Sequence, residues 1–180
     1  ETDRILMMEH GPKGGDELNH VVAGRNYGWP AITYGVDYSG AVISPFTEAD
    51  GMEQPMKYWV PSIGPSGLAI YRGDMFPEWQ GDLLLGSLIN KEMRRLKLDG
   101  DAVVEDEAIF PEISGRVRDV RVLSDGSIVA LTDEGDVLEF DIKNRYKVLR
   151  EVIDESSQKV LVFLPFKHAI DILTDKLRSE

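Results

Sequence analysis

All 17 glycines of the 180-residue chain lie between Gly11 and Gly135, and residues 142–180 contain none. Glycine supplies positive φ to tight turns without steric cost. A stretch broken so often can hold only short elements reversed by turns. The runs between the breakers are short, apolar and rich in branched residues: Ile5-Leu6-Met7-Met8, Leu68-Ala69-Ile70-Tyr71, Leu83-Leu84-Leu85, Val120-Arg121-Val122, Ile128-Val129-Ala130-Leu131 and Val137-Leu138-Glu139-Phe140. Such runs read as strands. Gly73-Asp74, Asp99-Gly100, Ser124-Asp125-Gly126 and Glu134-Gly135-Asp136 supply turn signals between them. No helical periodicity persists for three turns before residue 141.

A weak repeat sharpens this. Gly81-Asp82-Leu83-Leu84-Leu85 returns 45 residues later as Gly126-Ser127-Ile128-Val129-Ala130. Each copy leads through a turn to a further strand, Arg95-Leu96-Lys97-Leu98-Asp99 and Val137-Leu138-Glu139-Phe140-Asp141. A four-strand unit of about 40–50 residues is the period of a β-propeller blade. Residues 1–141 then amount to about three blades, fewer than a closed ring needs.

Residues 142–180 differ in kind. They hold eight Lys/Arg against six Asp/Glu, a net of +2, which leaves -14 of the total -12 on residues 1–141. Val148, Leu149, Val152 and Ile153 share a helical face. Lys159-Val160-Leu161-Val162-Phe163-Leu164 reads as a buried strand, and Ala169, Ile170, Ile172, Leu173 and Leu177 recur at helical spacing. The expected architecture is therefore mainly β, with a short helix-strand-helix segment after residue 141.

The acidic balance argues against nucleic acid or anionic membrane as the main ligand, since either needs a basic face. There is no cysteine, which removes disulfides, thiol catalysis and thiolate zinc sites. No apolar run approaches the roughly 18 residues of a membrane span. The first residues are neither a start methionine nor a secretory signal, so the expectation is a mature or truncated piece whose compartment the sequence does not reveal.

The densest chemistry lies in His10-Gly11-Pro12-Lys13-Gly14-Gly15-Asp16-Glu17-Leu18-Asn19. A glycine-proline turn exposes carbonyls, and two adjacent carboxylates follow. Calcium wants six to eight oxygens of both kinds. A solvated hairpin loop is the plainer alternative. Gly24-Arg25-Asn26-Tyr27-Gly28-Trp29-Pro30 and Tyr34-Gly35-Val36-Asp37-Tyr38-Ser39-Gly40 interleave aromatics with glycine, either to wall a flat ligand or to pack a loop over a sheet. Arg116 and Arg118, two apart on a strand, present two guanidinium forks on one face. They form an anion clamp, or else pair internally with Asp119 or Asp125.

At these residues a resemblance emerges. His10-Gly11-Pro12-x-Gly14-Gly15-Asp16-Glu17-Leu18-Asn19 and Asn26-Tyr27-Gly28-Trp29-Pro30 resemble the soluble pyrroloquinoline-quinone (PQQ)-dependent aldose, glucose and sorbosone dehydrogenases. Pro61-Ser62-Ile63-Gly64-Pro65-Ser66-Gly67, Arg116-Val117-Arg118-Asp119-Val120 and Leu131-Thr132-Asp133-Glu134 follow in family order. The resemblance implies a six-bladed propeller of which residues 1–141 are the C-terminal part. It implies calcium ligands at Glu17, Tyr27 and the carbonyls of Gly11 and Pro12, with Asp16 beside them. It also implies PQQ contacts at Tyr38, Arg116 and Arg118. Where the family carries a lysine, Ile89 stands here, with Lys91 two places later. The reaction implied is oxidation of an aldose at its C1 hydroxyl to a lactone, with hydride passing to the quinone and electrons to an external acceptor. The base histidine belongs to an upstream blade, and the parent family is periplasmic or secreted. The alternative is a non-catalytic calcium-binding module.

Residues 146–169 resemble the opening of the second RecA-like lobe of phage SNF2-type helicases. No Walker-type Gly-Lys-Ser/Thr loop accompanies it, so this segment cannot hydrolyse ATP alone. The expectation is a fused chain, with the net charge against a helicase-associated role.

Overall fold

The computed structural model describes residues 4–141. Its first sheet contains β1 (Ile5–Glu9), β2 (Asp16–Val21) and β3 (Lys57–Trp59), in that spatial order. The central sheet runs β4 (Pro65–Ile70), β5 (Leu83–Ser87), β6 (Glu92–Asp99) and β7 (Ala102–Ile109). The third contains β8 (Val117–Val122), β9 (Ile128–Thr132) and β10 (Val137–Phe140), with β9 in the middle. Every pairing between these strands is antiparallel.

The central sheet shows why an unbroken leucine run is a strand here. Successive side chains of a strand point to opposite faces. Leu83 and Leu85 pack with Leu18, Trp59, Ile63 and Leu96 on the side of the first sheet. Leu84 packs with Trp79, Val117, Val120 and Ile128 on the side of the third. All three leucines are fully buried. A sheet covered on both faces needs apolar residues at every position, which erases the usual alternation. Three sheets stacked face to face in this way form consecutive blades of a β-propeller. The 45-residue repeat is the blade repeat, since β5 and β9 are the second strands of their sheets and β6 and β10 the third.

Polar contacts fix the spacing between blades. The Tyr71 hydroxyl donates to the Gly126 carbonyl at 2.9 Å and accepts from the Phe76 amide at 2.9 Å. Gly67 sits at φ +42, and a Cβ there would lie 2.6 Å from the Asp119 backbone, so only glycine lets the central and third sheets approach so closely. Arg95, 8% exposed, pairs with Asp82 at 3.0 Å, Glu105 at 3.0 Å and Glu107 at 2.9 Å, and its guanidinium lies over the Trp79 ring. A buried cation is tolerable only when neutralised in this manner.

Three strands escaped the sequence reading. β2 carries two acids and β7 three, and β3 is three residues long. The helix-strand-helix reading of residues 142–180 lies outside the described residues. Antiparallel register puts the 10–15, 60–64, 88–91, 110–116 and 133–136 connections at one end of the sheets. That end is the rim on which the candidate residues collect.

Candidate functional site

The sequence neighbours Asp16 and Glu17 open β2 and therefore face opposite ways. Asp16, 1% exposed, turns inward. Its Oδ1 accepts from the Gly11 amide at 2.9 Å and the Ser62 hydroxyl at 3.0 Å. Its Oδ2 accepts from the amides of Ile63 and Gly64, both at 2.8 Å. Four donors occupy both oxygens, so the Asp16 carboxylate is committed to the protein's own amides and hydroxyl. It anchors the loop.

Other bonds hold the same turn. The Gly14 amide donates to Ser62 Oγ at 2.9 Å, and Lys13 exchanges two backbone hydrogen bonds with Val36, both at 3.1 Å. His10 Nε2 lies 2.7 Å from the Pro65 carbonyl. A carbonyl only accepts, so that nitrogen carries the proton. Gly15, at φ +77, has no room for a side chain, because a Cβ would meet the Gly35 amide at 2.6 Å.

Glu17 faces outward beside Glu9, its direct cross-strand partner. The buried Asn19 amide bridges them, donating to Glu9 Oε1 at 2.8 Å and to Glu17 Oε2 at 3.2 Å. Asn19 Oδ1 is buried and, among the described residues, has no hydrogen-bond partner. Burial raises the Glu17 carboxyl above its ordinary value and the Glu9 charge adds to this, while the Asn19 bond opposes it. The pair borders a cavity of about 260 Å³ lined also by His10, Gly11, Tyr27 and Trp29. Glu9 was missed in the sequence. Once β2 is recognised as a strand, hairpin register alone places Glu9 opposite Glu17.

Tyr27 lines that cavity, but its hydroxyl is committed. It donates to the His20 carbonyl at 2.8 Å and accepts from the Val22 amide at 2.7 Å. The backbone carbonyl of Tyr27 is a further oxygen that would serve a cation. Among the described residues no three acidic or histidine side chains gather as a metal site. A cation here would take two carboxylates and complete its shell with carbonyls and water, a donor mixture suited to calcium.

A second cluster sits at the start of β8. Arg118 makes a two-pronged pair with Asp133, one prong Nη2 to Oδ2 at 3.0 Å, and Arg116 Nε reaches the same carboxylate at 3.5 Å. The two arginines do share a face. The internal partner is Asp133, however, since Asp119 pairs with Arg121 and Asp125 accepts from Ser127. Arg118 holds the Asp133 carboxyl below its usual range. Both guanidinium groups remain half exposed.

Tyr38 is 76% exposed beyond an Asp37–Ser39 turn. Ile89 is exposed on the β5–β6 turn, where its amide donates to the Ile63 carbonyl at 3.0 Å, and Lys91 follows at φ 57. Through Ile63 and Gly64 this turn touches the Asp16 anchor. Through Ser66, whose hydroxyl donates to the Val117 carbonyl, the same connection reaches the arginines. Tyr34 and Tyr58, their ring centroids 3.7 Å apart, close the aromatic segment onto β3.

Stacked antiparallel blades of this kind define a part of a β-propeller. The sequence model of the glucose/sorbosone dehydrogenases matches residues 1–139, and the chain belongs to that family. It is 42% identical over 148 residues to an aldose sugar dehydrogenase of Escherichia coli, covering 79% of this chain and 40% of that protein. A crystallised glucose dehydrogenase superposes with a TM-score of 0.72 at 44% identity, over 77% of this chain and 40% of the other. The PQQ-bound aldose sugar dehydrogenase of Streptomyces coelicolor shares the fold, with a TM-score of 0.56 at 23% identity over 78% of this chain and 40% of that one. The chain spans about two fifths or less of the length of the curated relatives it matches. Among the described residues no helix is long and apolar enough to cross a membrane.

Proposed function

We propose that the chain carries the calcium- and quinone-binding rim of a PQQ-dependent aldose dehydrogenase. The observation that carries this reading is the half-buried Glu9–Glu17 pair beside an Asn19 oxygen that has no partner among the described residues. Two desolvated like charges held opposite each other are costly until a cation neutralises them. Glu9, Glu17 and the carbonyls of Gly11, Pro12 and Tyr27 would hold calcium. Arg116 and Arg118 would receive cofactor carboxylates, for which paired guanidinium forks are well matched.

When bound, the quinone supplies a two-electron acceptor for hydride from the sugar C1, and calcium supplies Lewis acidity. The protein's own residues orient and shield. Tyr38 and Trp29 offer exposed rings to a flat ligand. Asp133, already between the arginines, fixes their forks and must share them with an incoming carboxylate. His10 donates its Nε2 proton to the Pro65 carbonyl, and the base that takes the C1 hydroxyl proton is assigned, from the resemblance, to the blades it places upstream. An aldose as substrate, an external electron acceptor and a periplasmic or secreted setting follow from the same reading, as does a division of the chain near residue 141.

Titrating PQQ with calcium present, while following tryptophan fluorescence, tests the reading. Saturable quenching is expected, and replacing both Arg116 and Arg118 with alanine should weaken it at least about tenfold. Calcium binding with no quinone binding would instead favour a structural calcium module.

A further inference from the structure

We propose that Asp16 is the positioning residue that holds the cation-bearing turn against the next blade, so that the two sides of the rim act as one rigid site. The proposal rests on the calcium and quinone reading above. Asp16 touches two blades at once. From the first it takes the Gly11 amide, and from the entry to the central sheet it takes the Ser62 hydroxyl and the amides of Ile63 and Gly64. It is the junction through which the Gly11-Pro12 carbonyls are registered against the turn bearing Ile89, whose amide in turn bonds the Ile63 carbonyl.

Geometry explains why a carboxylate is needed there. Four donors converge from a turn and a neighbouring strand entry, and only a group with two acceptor oxygens and no proton can satisfy all four. An asparagine presents one oxygen and one NH2, so it would set a donor against donors on one side of the site. Ser62 extends the same device. Its hydroxyl donates to Asp16 and accepts from the Gly14 amide, so serine and aspartate together grip both limbs of the turn. Burial matters as well. At 1% exposure water does not replace a lost acceptor, and the turn has to move to repair it.

The consequence is functional as well as structural. Gly11 carries one of the carbonyls assigned to the cation, and its own amide is tied to Asp16. Releasing that amide frees the peptide planes on which the carbonyl ligands sit. Groups that orient metal ligands typically change metal affinity by about 10–100-fold when removed.

The experiment compares Asp16→Asn, Ser62→Ala and Asp82→Asn in the full chain. Asp82 is also a buried acid, paired with Arg95 inside the central sheet and away from the rim turns. Calcium affinity is measured by calorimetry and PQQ affinity by tryptophan quenching, each beside a melting curve. Asp16→Asn should weaken calcium binding about tenfold or more, Ser62→Ala should weaken it less, and Asp82→Asn should lower the melting temperature without changing either affinity. Equal affinities in wild type and Asp16→Asn, or an equal loss in Asp82→Asn, would overturn the positioning role. Should Asp16→Asn not fold, Ser62→Ala decides alone: weaker calcium binding at an unchanged melting temperature supports the role, and unchanged affinity overturns it. Wild-type chain that binds neither calcium nor PQQ would overturn the functional reading itself, and this proposal with it.

Discussion

The central and first sheets are built from similar lengths of chain, yet they spend their buried surface differently. Every residue of β5 is buried, and its leucines feed cores on both sides. In the first sheet one face joins one of those cores through Leu18 and Trp59, while the other turns Glu9 and Glu17, bridged by Asn19, toward a cavity under the 22–56 segment. The central sheet stabilises the fold. The first gives up part of that stabilisation to keep a polar, incompletely satisfied pocket. Such a division is expected where binding groups must be held ready rather than relaxed.

Truncating the central sheet should do the greatest damage. Leu84→Ala leaves a cavity between the central and third sheets and should cost about 2–5 kcal/mol, measured by denaturant unfolding. A loss below about 1 kcal/mol would show that this interface is not the main source of stability.

The first sheet should respond in the opposite direction. Glu17→Gln removes one of two facing charges and should stabilise the metal-free chain slightly while abolishing the rise in melting temperature that calcium gives wild type. At calcium one hundred times its dissociation constant, that rise corresponds to about 2.7 kcal/mol. Identical curves for wild type with and without calcium would remove the cation from the site.

Acidity separates the two sheets further. Because burial raises Glu17 in the folded state, the folded chain binds its proton more tightly than the unfolded chain does. Metal-free stability should therefore fall as pH rises through the raised value, and recover fully as pH drops to the ordinary carboxylate range. Melting curves from pH 7 downward without calcium should show this gain, and Glu17→Gln should lack it. A flat profile in wild type would place Glu17 in water.

The smallest effect is expected at the rim turn of the central sheet. Ile89→Lys places a cation where the family resemblance anticipates one, on a side chain already 59% exposed. Stability should stay within about 0.5 kcal/mol, while PQQ affinity rises. If affinity is unchanged and Lys91→Ala weakens binding instead, the later lysine already fills the role.

Much of this fold was legible because its signals are local. Glycine and aspartate mark turns wherever they occur, and the 45-residue echo of Gly81-Asp82-Leu83 in Gly126-Ser127-Ile128 marks one blade following another. The acid-rich strands were hidden because β2 and β7 draw their strand character from neighbours and not from composition. Within the candidate site, the glycine turn, Glu17 and the arginine pair are visible in the sequence itself. Glu9 could not, because its importance comes from register. The pairing of Arg118 was likewise misplaced, since residue 133 approaches it only after β8 and β9 align.

The sequence by itself determined the class of architecture, the rhythm of the blades and the motifs that place the chain among glucose and sorbosone dehydrogenases. These depend on spacing and residue type, which the chain carries wherever it folds. Only the tertiary structure decided that Asp16 is an anchor while its neighbour Glu17 faces the cavity, that Tyr27 keeps its hydroxyl for the backbone, and that Asp133 stands between the two arginines. The physical reason is directional. A strand sends adjacent side chains to opposite faces, and which face is core and which is pocket is settled by the sheet that packs against it.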